Sequence, residues 1–186
     1  MIRKVIIAFT VLVFSVQANA TSTNFSDYEK HLMYMAYYMA ISEGLGKTAM
    51  GVLVVETTMG RTGPIGDKSN GFGKRSYGVM QVKLVTVKDV IDRRPDLDPG
   101  FDNDYELIVE LINNDKWNMQ IAIEQLRWYY HERDLNWRET LVAYNRGLNG
   151  SRNYDPNVHP YAQRVAYEIT EGIAAEFYEK HIKSWR

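Results

Sequence analysis

Apolar residues recur every three or four positions in several parts of the chain, which is the spacing of one face of an α-helix. The first such face comprises Tyr28, Leu32, Met35, Ala36 and Met39. Just before it, Ser26 and Glu29 stand three residues apart, as in a capping box, where each side chain accepts a hydrogen bond from the other residue's backbone N–H. The pattern predicts a helix that begins after Ser26.

Most of the remaining chain also reads as helix. We predict helices at Ala49–Thr57, Tyr105–Ile112, Lys116–Glu132 and Trp137–Tyr144. The valine run of the first of these could also form a strand on propensity alone. Asp115 stands where the third of these would be capped. One long final helix is predicted from an apolar face formed by Tyr161, Val165, Ile169, Ile173 and Phe177. Thr58–Ser76 is rich in glycine and turn residues and predicts a long loop, whereas Val79–Arg93 fits a helix or a strand. The predicted fold class is mainly α.

The first twenty residues have the three parts of a secretory signal peptide. Arg3 and Lys4 supply the positive start, Val5–Val16 is almost wholly apolar, and Ala18-Asn19-Ala20 is a small-residue cleavage site. The apolar run is too short for a membrane-spanning helix, which needs about twenty apolar residues. We therefore predict that residues 1–20 are removed and that residues 21–186 form one exported domain, periplasmic or secreted, with no stable membrane insertion.

Composition narrows the choice of partner. The formal net charge of −1 becomes −3 without Arg3 and Lys4, because 20 basic side chains then stand against 23 acidic ones. So small a charge does not favour nucleic acid as a partner. The chain has no cysteine, so packing alone must hold an exported fold. Its 13 tyrosines and 4 tryptophans suit either a core or sugar stacking.

Several kinds of catalytic site are disfavoured by the motifs that the chain lacks. Its four histidines stand too far apart for the short pairs of a metal site, and no serine stands in a Gly-x-Ser-x-Gly elbow. The glycine-rich piece at Gly71–Ser76 lacks the spacing of a phosphate-binding loop and has Arg75 after Lys74, where that loop has Ser or Thr. We expect neither metal nor cofactor, which leaves acid–base catalysis by a carboxylate.

Glu56 is the carboxylate best suited to such catalysis. It follows the apolar run Leu53-Val54-Val55 at the end of a predicted helix. Apolar surroundings raise the pKa of a carboxyl group, and the negative end of the helix dipole does so too. An acid that stays protonated near neutral pH can donate a proton to a leaving oxygen, as in glycosidases. The alternative is a helix that simply reaches the surface at Glu56.

Four motifs in the chain have the order and spacing of one enzyme family. They are Glu56-Thr57, SYGVMQV at Ser76–Val82, LVAYNRG at Leu141–Gly147 and YAQRV at Tyr161–Val165. Together they resemble the lytic transglycosylases with a goose-lysozyme-like fold. That family has Glu-Ser, Gly-Leu-Met-Gln, Ala-Tyr-Asn-Ala-Gly and a tyrosine on the next helix. The resemblance extends from about Lys47 to Val165.

The resemblance implies a substrate and a role for each matching residue. Glu56 would be the single acid/base that cleaves peptidoglycan glycan strands between N-acetylmuramic acid and N-acetylglucosamine. It would protonate the glycosidic oxygen and then accept the proton of the muramyl 6-hydroxyl, leaving 1,6-anhydromuramyl ends. The residues implied to contact substrate are Ser76, Met80, Gln81, Tyr144, Asn145 and Tyr161. Of these, Met80 and Gln81 would line the cleft, and Tyr161 would orient Glu56. Tyr144 and Asn145 would form the opposite wall.

Structural roles are the alternatives for several of these residues. Met80 is of a type that often fills a core. Tyr144 could be a buried ring with a bonded hydroxyl, and Tyr161 lies on an apolar helix face where packing alone could explain it. Asn145 could belong only to a helix end that is capped by Gly147.

The chain also departs from the family pattern. Thr57 replaces the usual serine, Val79 replaces leucine and Arg146 replaces alanine, and the loop after Glu56 is longer. That loop carries Asp67, a second carboxylate that a hydrolytic muramidase would need. The alternatives to a lytic transglycosylase are therefore a muramidase acting on the same bond and a wall-binding protein without turnover. General wall turnover, or service to a secretion or conjugation machinery, fits the sequence equally well.

Overall fold

A computed structural model describes residues 23–185 of the protein. The predicted signal peptide at residues 1–20 lies outside the described residues. Helices make up most of the described chain and the only strands in it form one short pair, so the predicted mainly α fold is confirmed. No helix of this described part is both long and apolar enough to cross a membrane.

The helices and strands follow one another in a simple order. The α-helices of the described residues are α1 (Asp27–Ala40), α2 (Gly46–Thr57), α3 (Leu84–Arg93), α4 (Asp104–Asn113), α5 (Asp115–Arg127), α6 (Trp137–Arg146), α7 (Leu148–Ser151), α8 (Pro160–Thr170) and α9 (Ile173–Phe177). Strands β1 (Ser76–Tyr77) and β2 (Val82–Lys83) pair antiparallel between α2 and α3. Short π-helical turns, Trp128–Glu132 and Tyr178–Ile182, continue α5 and α9.

Most helix starts lie within one residue of the predicted ones, but α2 begins at Gly46, three residues before the predicted Ala49. The predicted capping box of α1 is present, with the Ser26 hydroxyl accepting from the Glu29 N–H. At α5 the prediction of Asp115 as the cap is wrong, because Asn114 is the N-cap and its side chain accepts from the N–H of Trp117 at 3.0 Å. Asp115 instead occupies the first turn, where its charge favours the positive helix end.

The prediction of one long final helix is also wrong. The chain leaves helical geometry at Glu171 and Gly172, and α9 begins a new helix at Ile173. A carboxylate oxygen of Glu168 accepts from the Ile173 N–H at 2.8 Å, so a side chain of α8 caps α9. The apolar face survives the break, since Val165 and Phe177 are both fully buried.

Helix α2 is the centre of the core and packs against α1, α8 and α9. Its residues from Ala49 to Leu53 are all fully or almost fully buried, as expected of a helix that is apolar on every side. Gly51 permits the close approach of α8, because a Cβ there would lie 2.7 Å from Cγ2 of Ile169 and 3.1 Å from Cγ1 of Val165. The α2–α8 contact therefore requires glycine at this position.

Between α2 and β1 the chain folds back toward the end of α2. Helix α2 ends at Thr58, which has a left-handed φ of 51°. Regular structure in the following segment is limited to an antiparallel bridge from Ile65 to Tyr77 and a 3₁₀ turn at Phe72–Lys74. The Tyr77 hydroxyl donates to the carbonyl of Phe72 and so ties this segment to β1.

The turn that joins β1 to β2 is bound by three buried or half-buried side chains from other elements. Asn118 of α5 donates to the Tyr77 carbonyl and accepts from the Met80 N–H, both at 2.8 Å. The Thr57 hydroxyl donates to the carbonyl of Val79 at 2.8 Å, and the Tyr144 hydroxyl donates to that of Met80 at 2.8 Å. Helices α2, α5 and α6 thus meet at one turn.

Gly78→Ala tests how tightly this turn is packed. Gly78 has a φ of 75°, and a Cβ there would lie 2.2 Å from Nδ2 of Asn118 and 2.3 Å from the Leu111 carbonyl oxygen. We expect urea unfolding to show a loss of about 3 kcal/mol or more, from left-handed strain and overlap together. Gly63→Ala is the matched control, because Gly63 has a φ of 86° with nothing within 4 Å of the added carbon. It should lose only about 1 kcal/mol. Equal losses would contradict the tight packing.

Candidate active site

A cavity of about 480 Å³ opens where the end of α2, the β1–β2 turn, α5 and the end of α6 meet. Of the seven residues that the resemblance implied at the site, five line it: Glu56, Ser76, Gln81, Tyr144 and Asn145. The fold therefore brings together residues that are up to ninety positions apart in the chain. Tyr161 joins the group through a hydrogen bond to Glu56.

Glu56 lies in the last turn of α2 and is half-buried. Burial raises the pKa of its carboxyl group to about 7. A hydrogen bond from Tyr161 and the positive charges of Arg164 and Lys83 act in the opposite direction and limit the rise. At neutral pH the carboxyl is therefore divided between acid and carboxylate, which suits a group that must both donate and accept a proton.

Tyr161 orients the Glu56 carboxyl. Its hydroxyl donates to Oε1 of Glu56 at 2.7 Å, from the first turn of α8. Burial and the nearby Glu56 charge raise the pKa of Tyr161 well above its usual value, so the hydroxyl keeps its proton. Its ring stacks on that of Tyr144 with centroids 6.5 Å apart. Tyr161 thus has both the packing role and the contact with Glu56 that the sequence left as alternatives.

Gln81 is fixed at the rim of the cavity. It has a left-handed φ of 51° at the end of the β1–β2 turn. Its Oε1 accepts from the Ser76 hydroxyl at 2.8 Å, and its Nε2 donates to the Gly78 carbonyl at 2.9 Å. Gly66 leaves room for this amide, since a Cβ there would lie 1.8 Å from Oε1. One N–H and one lone pair of the amide remain for a ligand.

Met80 does not lie where the sequence suggested. Its side chain is fully buried in the core and is not among the residues that line the cavity, so the prediction that it lines the cleft is wrong. The turn directs successive side chains to opposite sides, which sends Met80 inward and leaves Gln81 at the cavity. The contact of Met80 with a cavity residue is made by its backbone carbonyl, which accepts from the hydroxyl of Tyr144.

Asn145 offers a free amide to the cavity. It is half-buried in the last turn of α6, which ends where Gly147 adopts a φ of 76°. Among the described residues its side chain has no hydrogen-bond partner, although it lines the cavity. The amide of Asn145 is therefore available to a ligand in the cavity, and the residue also belongs to the last turn of α6.

Asp67 lines the same cavity from the segment between α2 and β1. It is exposed and has a φ of 45°. Its carboxylate accepts from the Ser69 hydroxyl at 2.8 Å and from the amide of Asn70. Both carboxylates therefore face one space, but only Glu56 is desolvated.

Sequence reasoning missed the contribution of α5. Gln125 and Tyr129 line the cavity, and Oε1 of Gln125 accepts from the Arg93 guanidinium at 2.6 Å. Asn118, which binds the β1–β2 turn, lies seven positions before Gln125, and Tyr129 lies four positions after it. This spacing places the three residues on one helical face. That spacing of polar residues inside an apolar segment was the available signal.

The cavity holds one desolvated carboxyl group, that of Glu56, among amides and phenols, with the charged residues Asp67, Lys83 and Arg146 also in its wall. No three His, Asp or Glu side chains of residues 23–185 are grouped so that they could hold a metal ion. Comparison of the chain with protein-family models, with curated proteins and with solved structures finds no match. The arrangement suits proton transfer to and from a ligand rich in hydroxyl and amide groups.

The raised pKa of Glu56 predicts a specific dependence of stability on pH. The folded state holds this proton more tightly than the unfolded state, so the stabilisation is full below about pH 4.5 and is lost as pH rises through 7. Glu56→Gln cannot titrate. The unfolding free energy of the wild type minus that of the variant should therefore fall by at most about 3 kcal/mol between pH 4 and pH 8.

Chemical denaturation across this pH range measures the effect. Glu171→Gln is the control for the loss of one carboxyl group, because Glu171 is exposed in the helix break, away from the cavity. A difference for Glu56→Gln that does not change with pH would contradict the raised pKa of Glu56.

Proposed function

We propose that the protein is an exported lytic transglycosylase that cleaves the glycan strands of peptidoglycan, with Glu56 as its single acid/base. The observation that carries this is a carboxyl group with a pKa of about 7 in a cavity of about 480 Å³ walled by amides and tyrosines. Gln81, Gln125 and Asn145 suit the hydroxyl and N-acetyl groups of sugars. The four motifs that resemble lytic transglycosylases support the choice of substrate.

In the first step Glu56 acts as an acid. Because Tyr161 donates to Oε1, the catalytic proton is carried by Oε2. It passes to the glycosidic oxygen as the bond from that oxygen to C1 of N-acetylmuramic acid breaks. The N-acetylglucosamine portion leaves with a new hydroxyl group.

In the second step Glu56 acts as a base. The carboxylate accepts the proton of the muramyl 6-hydroxyl while that oxygen bonds to C1, which restores the acid without the use of water. The 6-hydroxyl belongs to the same sugar, so its effective concentration is high. One carboxyl group suffices for both steps, in agreement with a single desolvated acid.

A muramidase is the second candidate, because Asp67 lines the same cavity as Glu56. In that mechanism a second carboxylate activates water or attacks the sugar. Asp67 is exposed and accepts from Ser69 and Asn70, which favours a structural role in its own loop. A binding protein without turnover is disfavoured, since binding alone does not require a desolvated carboxyl group.

The biological setting follows from the same proposal. An exported enzyme of this kind works on the wall from the periplasm or outside the cell. It serves either general turnover or the opening of the wall for a secretion or conjugation machinery.

Digestion of purified sacculi tests the proposed function. We expect the protein without residues 1–20 to release soluble fragments, and Glu56→Gln to lose about 10²–10⁴-fold of the rate while it still folds, because the variant lacks the catalytic proton. Glu171→Gln, the control, should keep full activity. Substantial lysis by folded Glu56→Gln would refute the assignment.

The masses of the fragments separate the two mechanisms. We expect 1,6-anhydromuramyl ends, one water lighter than hydrolysed ends and resistant to borohydride. Asp67→Asn should leave them unchanged. Reducible muramic acid ends that disappear in Asp67→Asn would instead establish a muramidase with Asp67 as its second carboxylate.

A further inference from the structure

A second cavity, of about 310 Å³, lies beside the candidate active site. We call it the α7 cavity, because α7 forms one wall with Leu148 and Ser151, while α6 and residues 152–156 form others. Gly147 lines the active-site cavity and the next residue, Leu148, lines the α7 cavity. The two spaces are therefore direct neighbours around the end of α6.

Arg146 and Tyr154 form the partition between the two cavities. Arg146 lines the active-site cavity and Tyr154 lines the α7 cavity. The guanidinium carbon of Arg146 lies 5.1 Å from the ring centroid of Tyr154, a cation–π contact. Both side chains are exposed, so a branched ligand can pass over them from one space to the other.

Two arginines without a carboxylate partner line the α7 cavity. Arg133 and Arg152 are exposed and have no ion pair within the described part of the chain. The guanidinium carbon of Arg133 lies 5.3 Å from the ring centroid of Trp128, a cation–π contact that leaves the charge without a counter-ion. Glu139 also lines it, but its carboxylate accepts from the Asn136 N–H at 2.9 Å in the capping box of α6. Two guanidinium groups thus face the cavity against one engaged carboxylate.

Apolar residues form much of the remaining wall of the α7 cavity, beside Ser151 and Tyr154. Leu135, Val142, Leu148 and Pro156 contribute to its walls. Such walls suit short aliphatic side chains such as that of alanine, whereas guanidinium groups suit carboxylates, which they bind with two parallel hydrogen bonds. The expected ligand is therefore a short acidic peptide with small apolar residues.

On the basis of the function proposed above, we propose that the α7 cavity binds the peptide stem that branches from N-acetylmuramic acid. The glycan strand occupies the cavity of Glu56, the stem crosses Arg146 and Tyr154, and its carboxylates bind Arg133 and Arg152. An extended peptide gains about 3.3–3.6 Å per residue, so a stem of four or five residues reaches well over 10 Å from the sugar. Arg146, which stands where the resembling enzymes have alanine, lies at the crossing.

Kinetics on two kinds of strand test this site. One substrate is glycan strands that carry their peptide stems. The other is strands from which an amidase has removed the stems, so that the lactyl groups supply their only carboxylates. Arg133→Ala and Arg152→Ala should each raise KM for stem-bearing strands about tenfold, the loss expected for one charge-assisted hydrogen bond, with little change in kcat. Cleavage of stripped strands should not change. Arg152→Lys should recover part of the loss.

Lys116→Ala is the control, since Lys116 is an exposed cation that lines neither cavity. It should leave both substrates unaffected. Equal KM values for stem-bearing strands in the wild type and in both arginine variants would overturn the peptide site. An equal rise on stripped strands would overturn it too, because the arginines would then recognise the lactyl carboxylate or the glycan.

Direct binding separates a failure of this inference from a failure of the proposed function. The probe is the free L-Ala-γ-D-Glu-L-Lys-D-Ala-D-Ala peptide, added to the Glu56→Gln protein, with the side-chain N–H signal of Arg152 followed by NMR. A shift that saturates, and that is lost in Arg133→Ala, supports the site even if the wild type cleaves no strand. If the wild type cleaves strands normally and the peptide causes no NMR shift in the Glu56→Gln protein, the peptide site is overturned and the proposed function remains intact.

Discussion

The packing of α8 against α2 is the constraint on which the candidate site depends. The two helices approach closely because Gly51 has no side chain where Ile169 and Val165 lie. That approach brings the Tyr161 hydroxyl to 2.7 Å from Glu56 and buries the end of α2. The same contact therefore positions the acid and desolvates it. A looser contact would lower the pKa of Glu56 by admitting water, even with every other cavity residue in place.

The end of α2 also fixes the facing wall of the cavity. Thr57, the residue after Glu56, binds the Val79 carbonyl, and Asn118 and Tyr144 bind other groups of the same turn. Because the turn presents Gln81 to the cavity, the spacing between Glu56 and Gln81 is set by buried hydrogen bonds rather than by flexible loops. Thr57 supplies the hydroxyl that this bond requires, as would the serine that lytic transglycosylases have at the resembling position.

Helix positions could be predicted from the sequence because the core imposes a 3.6-residue period on α1 and α4–α6, whereas α2 is visible as a continuous apolar run. Glu56 could be chosen as a candidate acid because it directly follows a short apolar run and precedes a segment of turn residues. The burial of Met80 could not be predicted. Successive side chains of a tight turn point to opposite sides, and the motif does not show which of them faces the cavity. The break at Gly172 escaped prediction because the cap of α9 is a side chain of α8, Glu168, and the apolar face continues across it. Gln125 and the α7 cavity depend on how helices meet, which periodicity alone does not determine.

The most direct test of a protonated acid in this cavity is the titration of the Glu56 carboxyl group by ¹³C NMR in the intact protein. We expect a pKa of about 7 in the wild type. We expect a still higher pKa in Tyr161→Phe, because that change removes a hydrogen bond that favours the carboxylate. A wild-type pKa near 4.5, unchanged in Tyr161→Phe, would contradict the claim that the fold holds a protonated acid in this cavity.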